Sequence, residues 1–201
     1  MARNTEIKAV CRDIKALEVR TALRSSFKPY NVKQDDTFFN CQNGRLKLRV
    51  EENERLERLD LNPQYEQART FFLADPNVNS GQLIFYVRSD NLGPKTSSYS
   101  ISLIPNVTTL RQVLEQSYGT IGRVKKSRKV YLIGQTRVHL DQVEGLGDFI
   151  ELEVVLTDNQ TDEEGVAIAD EIMDLLDIKK EDLVVGAYLD LLKEKEGKHA
   201  S

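Results

Sequence analysis

The sequence predicts an α+β fold in which strands outnumber helices and the helices pack outside the sheet. Three observations predict it. Short stretches of alternating apolar and polar residues recur along most of the chain, a few longer stretches carry helical spacing, and the polar faces of the alternating stretches are sorted by charge. With 201 residues, 40% hydrophobic and 30% charged, the chain can bury one core. It reads as a single domain over residues 1–193, followed by a charged tail at 194–201.

Residues 5–12 place Ile7, Ala9 and Cys11 on one side and Glu6, Lys8 and Arg12 on the other, the pattern of a half-buried strand. Asp13 then precedes Ile14, Leu17 and Leu23 at helical spacing, which predicts a capped helix ending between residues 25 and 29. Strands follow at 32–41 and 44–51. In the second, Leu46, Leu48 and Val50 oppose Arg45, Lys47 and Arg49, so three cations share one face. Residues 51–81, with Pro63, Pro76 and clusters of Asn and Asp, break the pattern and read as an inserted loop.

Further strands are predicted at 82–88, 98–103, 122–128, 129–133, 137–142 and 149–156. Thr108 is expected to cap a short helix through Leu110, Val113 and Leu114 that stops at Gly119. Thr161 and Glu164 form a capping box for a helix whose apolar face runs from Val166 to Leu176. A last helix is predicted over 180–192, with 193–201 a solvated, frayed end.

Composition excludes several function classes. A formal charge of -4 and a pI near 5.4 have the wrong sign for a general nucleic-acid binder, so an anion site must be a local cluster. No apolar run is long enough to span a bilayer and the N-terminal residues lack an apolar leader, which predicts a cytoplasmic chain with no membrane partner. Cys11 and Cys41 are too few for a disulfide framework and read as buried, reduced thiols. The run Lys125-Lys126-Ser127-Arg128-Lys129 has no interleaved aromatics and sits in a predicted strand, which argues against a nucleic-acid patch. Nothing in the sequence sets the oligomeric state.

Charge sorting carries the functional signal. Glu6 and Lys8; Arg45, Lys47 and Arg49; Arg88; Lys126 and Arg128; Arg137, His139 and Asp141; and Glu151 and Glu153 recur at period two. In a closed barrel, one set of alternating faces points into the lumen, where charges must pair with each other or with a ligand. Such a lumen suits a polyphosphate with its metal, cations holding phosphate oxygens and carboxylates a hard divalent ion. An open sheet with a wet charged face explains the same spacing. His139 is the neutral-range titrating group of this set, either structural or a proton carrier, and Arg137 is equally consistent with local pairing to Asp141.

The motifs in order carry a resemblance. Asn4-Thr5-Glu6-Ile7-Lys8 is similar to the Glu-x-Glu-x-Lys signature of the CYTH superfamily, the triphosphate tunnel metalloenzymes, with the first acid replaced by Asn4. Gln34 to Phe39 resembles the family's second strand, and Gly44 to Arg49 its phosphate-binding strand. Leu83 to Arg88, Val124 to Arg128, His139 to Asp141 and Leu146 to Glu153 resemble the later strands, and Gly186 to Leu192 the terminal helix.

That resemblance implies an eight-stranded antiparallel barrel forming a triphosphate tunnel. It further implies substrate binding by Lys8, Arg45, Lys47, Arg49, Arg88, Lys126 and Arg128, with Lys8, Lys126 and Arg128 acting in catalysis. Glu6, Asp141, Glu151 and Glu153 are implied as ligands of Mg2+ or Mn2+. Asn4 offers only a neutral oxygen, so a metal site built there loses one charge and binds more weakly. The implied activity is metal-dependent hydrolysis of a small-molecule triphosphate: thiamine triphosphate, inorganic tripolyphosphate or a nucleoside triphosphate. The alternatives are a class IV-type adenylate cyclase making cyclic AMP from ATP, and a weakly active or inactive triphosphate-binding module.

Overall fold

The computed structural model of the chain describes residues 2–53, 81–88 and 94–199. Its centre is a closed barrel of eight strands, every neighbouring pair antiparallel. The elements in chain order are β1 (Ala2–Val10), α1 (Ile14–Ala22), β2 (Tyr30–Phe39), β3 (Arg45–Asn53), β4 (Gly81–Arg88), β5 (Lys95–Ile104), α2 (Val107–Tyr118), β6 (Thr120–Ile133), β7 (Thr136–Val143), β8 (Gly147–Val155), α3 (Asp162–Leu176) and α4 (Tyr188–His199). Around the barrel the order is β1-β5-β4-β3-β2-β6-β7-β8, with β8 closing onto β1.

The barrel is oily outside and charged inside. Ala9, Val138, Leu140, Ile150 and Val154 pack with Leu17 of α1 and Ala169, Ile172, Met173 and Leu176 of α3, in one buried cluster. Each such side chain contributes about 1.5–3 kcal/mol on leaving water. Period two then fixes the rest: if the apolar residues of a strand face the helices, their neighbours must face the lumen. Phe39, Leu48, Val107 and Leu114 form a second cluster under α2, and Phe38, Val124, Val143, Phe149, Tyr188 and Leu189 a third beneath the start of α4. At Gly165 a Cβ would lie 2.3 Å from Thr5 Oγ1, so α3 reaches β1 at a distance only glycine allows.

Several element boundaries differ from the sequence reading. Residues 122–128 and 129–133 are one strand, because β6 pairs without interruption with β2 and β7 through Ser127, Arg128 and Lys129. Asn106, not Thr108, caps α2, its Oδ1 accepting from Thr109 N at 3.1 Å. The helix expected over 180–192 is a 3-10 turn at Lys180–Asp182 followed by α4. Between them Val184 N donates to Lys8 O at 2.9 Å and Gly186 takes φ +87, which stops the turn from continuing. Residues 193–199 are helical rather than frayed, with Lys195 donating to Gly145 O at 2.6 Å. Helix α1 ends at Ala22, short of the expected 25–29. Both cysteines are half-buried free thiols. Of the inserted loop expected at 51–81, β3 and β4 claim the two ends, and 54–80 lie outside the described residues. No described helix is long and apolar enough to cross a membrane.

Candidate functional site

A cavity of about 210 Å³ occupies the lumen. Six cations line it, Lys8, Lys47, Arg49, Lys126, Arg128 and Arg137, against five carboxylates, Glu6, Asp36, Glu51, Glu151 and Glu153. They form three linked groups.

Asp36 is the hub of the first. It is 2% exposed, accepts from Arg49 at 2.7 and 2.8 Å and from Lys47 at 3.0 Å, and lies 4.0 Å from the Lys126 ammonium. Burial alone would push its carboxyl up, but Arg49 and Lys47 outweigh that and hold it well below the usual carboxylate range. The lysines move the other way. Burial, with Arg49 beside it, lowers Lys47 to about 8, and burial with Arg128 beside it lowers Lys126 to about 7. For both, the shared Asp36 offsets that burial only in part.

Arg128 organises the second group. Its guanidinium donates to both oxygens of Asp141, each at 2.6 Å, and to Glu151. Lys8 lies 3.1 Å from Glu151 and donates to Gly186 O at 3.2 Å. Tyr188 Oη donates to Asp141 at 2.8 Å, and the Tyr188 ring centroid lies 4.0 Å from the Lys8 ammonium and 5.1 Å from that of Lys126. Glu151 stays well below its ordinary pKa because Lys8 and Arg128 overcome the upward push of burial.

Glu153 anchors the third. Arg137 approaches it at 3.4 Å and His139 Nε2 at 3.8 Å, and Asn4 Nδ2 donates to it. His139 is held neutral by burial and by the nearby Arg128, and its Nδ1 has no hydrogen-bond partner among the described residues.

Of the expected substrate residues, the structure brings Lys8, Lys47, Arg49, Lys126 and Arg128 to the cavity wall. Arg45 does not line it; its guanidinium pairs with Asp190 of α4 at 2.8 Å. Arg88 ends β4 opposite Ser97, and its side chain lies outside the described residues. Among the expected metal ligands, Glu6, Glu151 and Glu153 line the cavity, whereas Asp141, on the inward face of β7, is completely buried beneath Arg128 and Tyr188, which take both its oxygens. Asp36, Glu51 and Tyr188 carried no assignment in the sequence. Asp36 shares the inward period of Gln34 and Phe38 and was open to discovery by that spacing; Tyr188 reaches the lumen from the distant C-terminal segment, which spacing cannot reveal.

The donor set fits a hard divalent cation in company with phosphate. Glu6 and Glu153 are direct partners across β1 and β8, which sets two carboxylates side by side on the cavity wall. Beside them Asn4 Oδ1 is buried without a hydrogen-bond partner among the described residues. No three His, Cys, Asp or Glu side chains among the described residues are gathered to hold a metal by themselves. Magnesium does not require that, since it is held by one or two carboxylates with water and substrate phosphate completing the shell.

The CYTH domain model matches residues 2–188. The chain belongs to the CYTH domain family. Solved structures share this CYTH fold at low identity. PH1819 of Pyrococcus horikoshii OT3 aligns at TM-score 0.70 and 18% identity, covering 96% of this chain and 99% of its own. A candidate adenylate cyclase of Vibrio parahaemolyticus aligns at TM-score 0.60 and 19% identity over 94% of this chain and 97% of its own. HpAC1 of Hippeastrum, described by a dominant triphosphatase activity, aligns at TM-score 0.61 and 10% identity over 97% and 96% of the two chains. Comparison with curated protein sequences finds no match.

Proposed function

We propose that this CYTH protein is a metal-dependent triphosphatase that holds a small-molecule triphosphate in the barrel lumen. The observation that carries this reading is the convergence of Lys8, Lys47, Arg49, Lys126 and Arg128 on one cavity, two of them with depressed pKa values. Buried lysines that titrate near 7 and 8 are destabilised cations, and a polyanion is the ligand that relieves them.

The geometry supports distinct roles. Lys8, Lys126 and Arg128 hold phosphate oxygens and neutralise charge that builds on them during transfer, while Lys47 and Arg49 take the rest of the chain. Asp141 is a positioning residue in this reading: it fixes the plane of Arg128 and is itself fixed by Tyr188. Glu6 and Glu153, with the Asn4 amide oxygen, would hold Mg2+ or Mn2+, with Glu151 the nearest further carboxylate on β8. A bound ion there supplies charge neutralisation to the phosphate chain. Water attack on the terminal phosphate demands only this cradle, whereas cyclisation also needs a nucleobase pocket and an activated ribose hydroxyl.

The test is one incubation panel: ATP, thiamine triphosphate and inorganic tripolyphosphate, each with magnesium or manganese, scored for phosphate, pyrophosphate and cyclic AMP. Metal-dependent phosphate release is expected. Cyclic AMP with pyrophosphate from ATP would make it a cyclase, and tight binding without products a binding module.

A further inference from the structure

Three lumen cations converge on one oxygen. Lys47 donates to Asp36 Oδ2 at 3.0 Å and Arg49 Nη2 donates to it at 2.8 Å, while the Lys126 ammonium stands off at 4.0 Å. A carboxylate oxygen offers about two lone pairs, and Lys47 and Arg49 take both. Arg49 Nε claims the other oxygen at 2.7 Å. Lys126 is therefore left outside the bonding shell of the one carboxylate within its ion-pair reach among the described residues.

The other two lysines of the cavity are engaged. Lys47 is bonded to Asp36, and Lys8 lies 3.1 Å from Glu151 and donates to Gly186 O. Around Lys126 the further charged neighbours on its own inward face are of like sign: Arg128 follows two residues on along β6, with its guanidinium committed to Asp141 and Glu151. The Tyr188 ring, 5.1 Å from Nζ, gives a face and no acceptor in the plane of a strong bond. Burial, then Arg128, lowers this amine to about 7. At pH 8 it is mostly free base, where an ordinary lysine is under about 1%.

A free amine among cations is a nucleophile inside an anion-attracting site. The electrophile that matches both features is an acyl phosphate, whose phosphate is drawn to Lys8, Lys47 and Arg49 and whose carbonyl carbon then meets Nζ. Nζ attacks that carbon, the C–N bond forms, and the bond from carbon to the bridging oxygen breaks. Inorganic phosphate leaves with the electron pair and takes the proton shed by nitrogen, so no further reactant is needed. The same cations stabilise the departing phosphate. A coenzyme A thioester matches neither feature, since its nucleotide is too large for a cavity of about 210 Å³ and its acyl end carries no charge.

We propose that Lys126 is an acylation site, modified without a second enzyme by small acyl phosphates that the lumen cations orient, and that acylation shuts the phosphate site by removing one of its cations. The acylation goes beyond the triphosphate reading above, whereas the shut-off rests on it. Acyl-Lys126 carries no charge and one fewer donor, so it can no longer neutralise phosphate.

Incubation of the full chain with acetyl phosphate at pH 8, with sites and rates read by mass spectrometry, tests the first part. Lys126 should be acetylated at least about 10-fold faster than Lys125, its exposed neighbour on the same strand, because far more of it is free amine. The neutral thioester acetyl-N-acetylcysteamine should show a smaller preference, having no anion for the cations to hold. Calorimetry with inorganic tripolyphosphate tests the second part: the acetylated protein and Lys126→Gln should both bind it about 10- to 100-fold more weakly, the worth of a charge-assisted contact. The acetylated wild-type protein carries that comparison alone if Lys126→Gln does not fold, as judged by circular dichroism.

Labelling of Lys126 no faster than Lys125 overturns the acylation site, and an equal preference with the thioester overturns its orientation by the cations. Fast labelling that leaves tripolyphosphate affinity unchanged overturns the shut-off. If the unmodified protein does not bind tripolyphosphate, the triphosphate reading fails and takes the shut-off with it, while the labelling rates still decide the acylation site.

Discussion

Asp36 on β2 and Arg49 on β3 are direct cross-strand partners, joined through both carboxylate oxygens at 2.7 and 2.8 Å. The same carboxylate takes Lys47 at 3.0 Å and faces Lys126 at 4.0 Å, so one anion balances the cation-rich side of the lumen.

Asp36→Asn should therefore destabilise the free protein by about 3–5 kcal/mol, because three buried cations lose their shared partner. Saturating tripolyphosphate should restore part of that loss. Urea unfolding with and without tripolyphosphate measures both, and a loss below about 1 kcal/mol would mean the lumen is solvated like an exposed surface.

Lys126→Met should stabilise the protein and weaken triphosphate binding. Lys126 titrates near 7 in the fold, and an unfolded lysine titrates near 10.4. Between those values the unfolded chain binds more protons, so stability rises with pH across the window and the penalty is complete below it. The variant should exceed the wild type by roughly 1–4 kcal/mol at pH 6, and the gap should narrow towards pH 10. Thermal unfolding at several pH values reads the gap directly.

Triphosphate binding near pH 8 should draw protons onto Lys47 and Lys126, which titrate near 8 and 7 in the free protein. Calorimetry in buffers of different ionisation enthalpy reports the uptake. Lys126→Met should take up fewer protons than the wild type under identical conditions, and equal uptake would show that Lys126 is not at the ligand.

Asn4→Glu would place a third carboxylate beside Glu6 and Glu153. Without metal this should cost about 1–3 kcal/mol, since a buried charge replaces a neutral amide that now donates to Glu153. With manganese the order should reverse: tighter metal binding and faster turnover, because another anionic oxygen offsets the ion's dehydration. Denaturation with chelator and with manganese separates the two arms. A slower rate at saturating metal would mean Asn4 is tuned to the substrate. Glu153→Gln should abolish metal-dependent turnover in a folded protein.

Much of this was legible from local pattern. Period-two alternation places Lys8, Lys47, Arg49, Lys126, Arg128, Glu151 and Glu153 on inward faces, because the pleat leaves a strand residue only two directions and the apolar neighbours occupy the outer one. The capping box at Thr161 and Glu164 likewise begins α3 as expected, since its two hydrogen bonds span only three residues. Such features depend on near neighbours in the chain, and the sequence contains those.

What the tertiary structure decided are relations across long chain separations. Arg45 follows the same alternation as Lys47 yet pairs with Asp190, because α4 happens to pass that rim. Asp141 has the spacing of a lumen ligand yet is covered from the cavity by Arg128 and Tyr188, which claim both its oxygens. Tyr188 is 47 residues from the aspartate it bonds, and no periodicity reports that a C-terminal turn will line the cavity of a barrel whose walls are built from strands before it. Spacing sets which way a side chain points; which partner waits there is set by packing, through the placement of helices whose long-range contacts the local sequence does not encode.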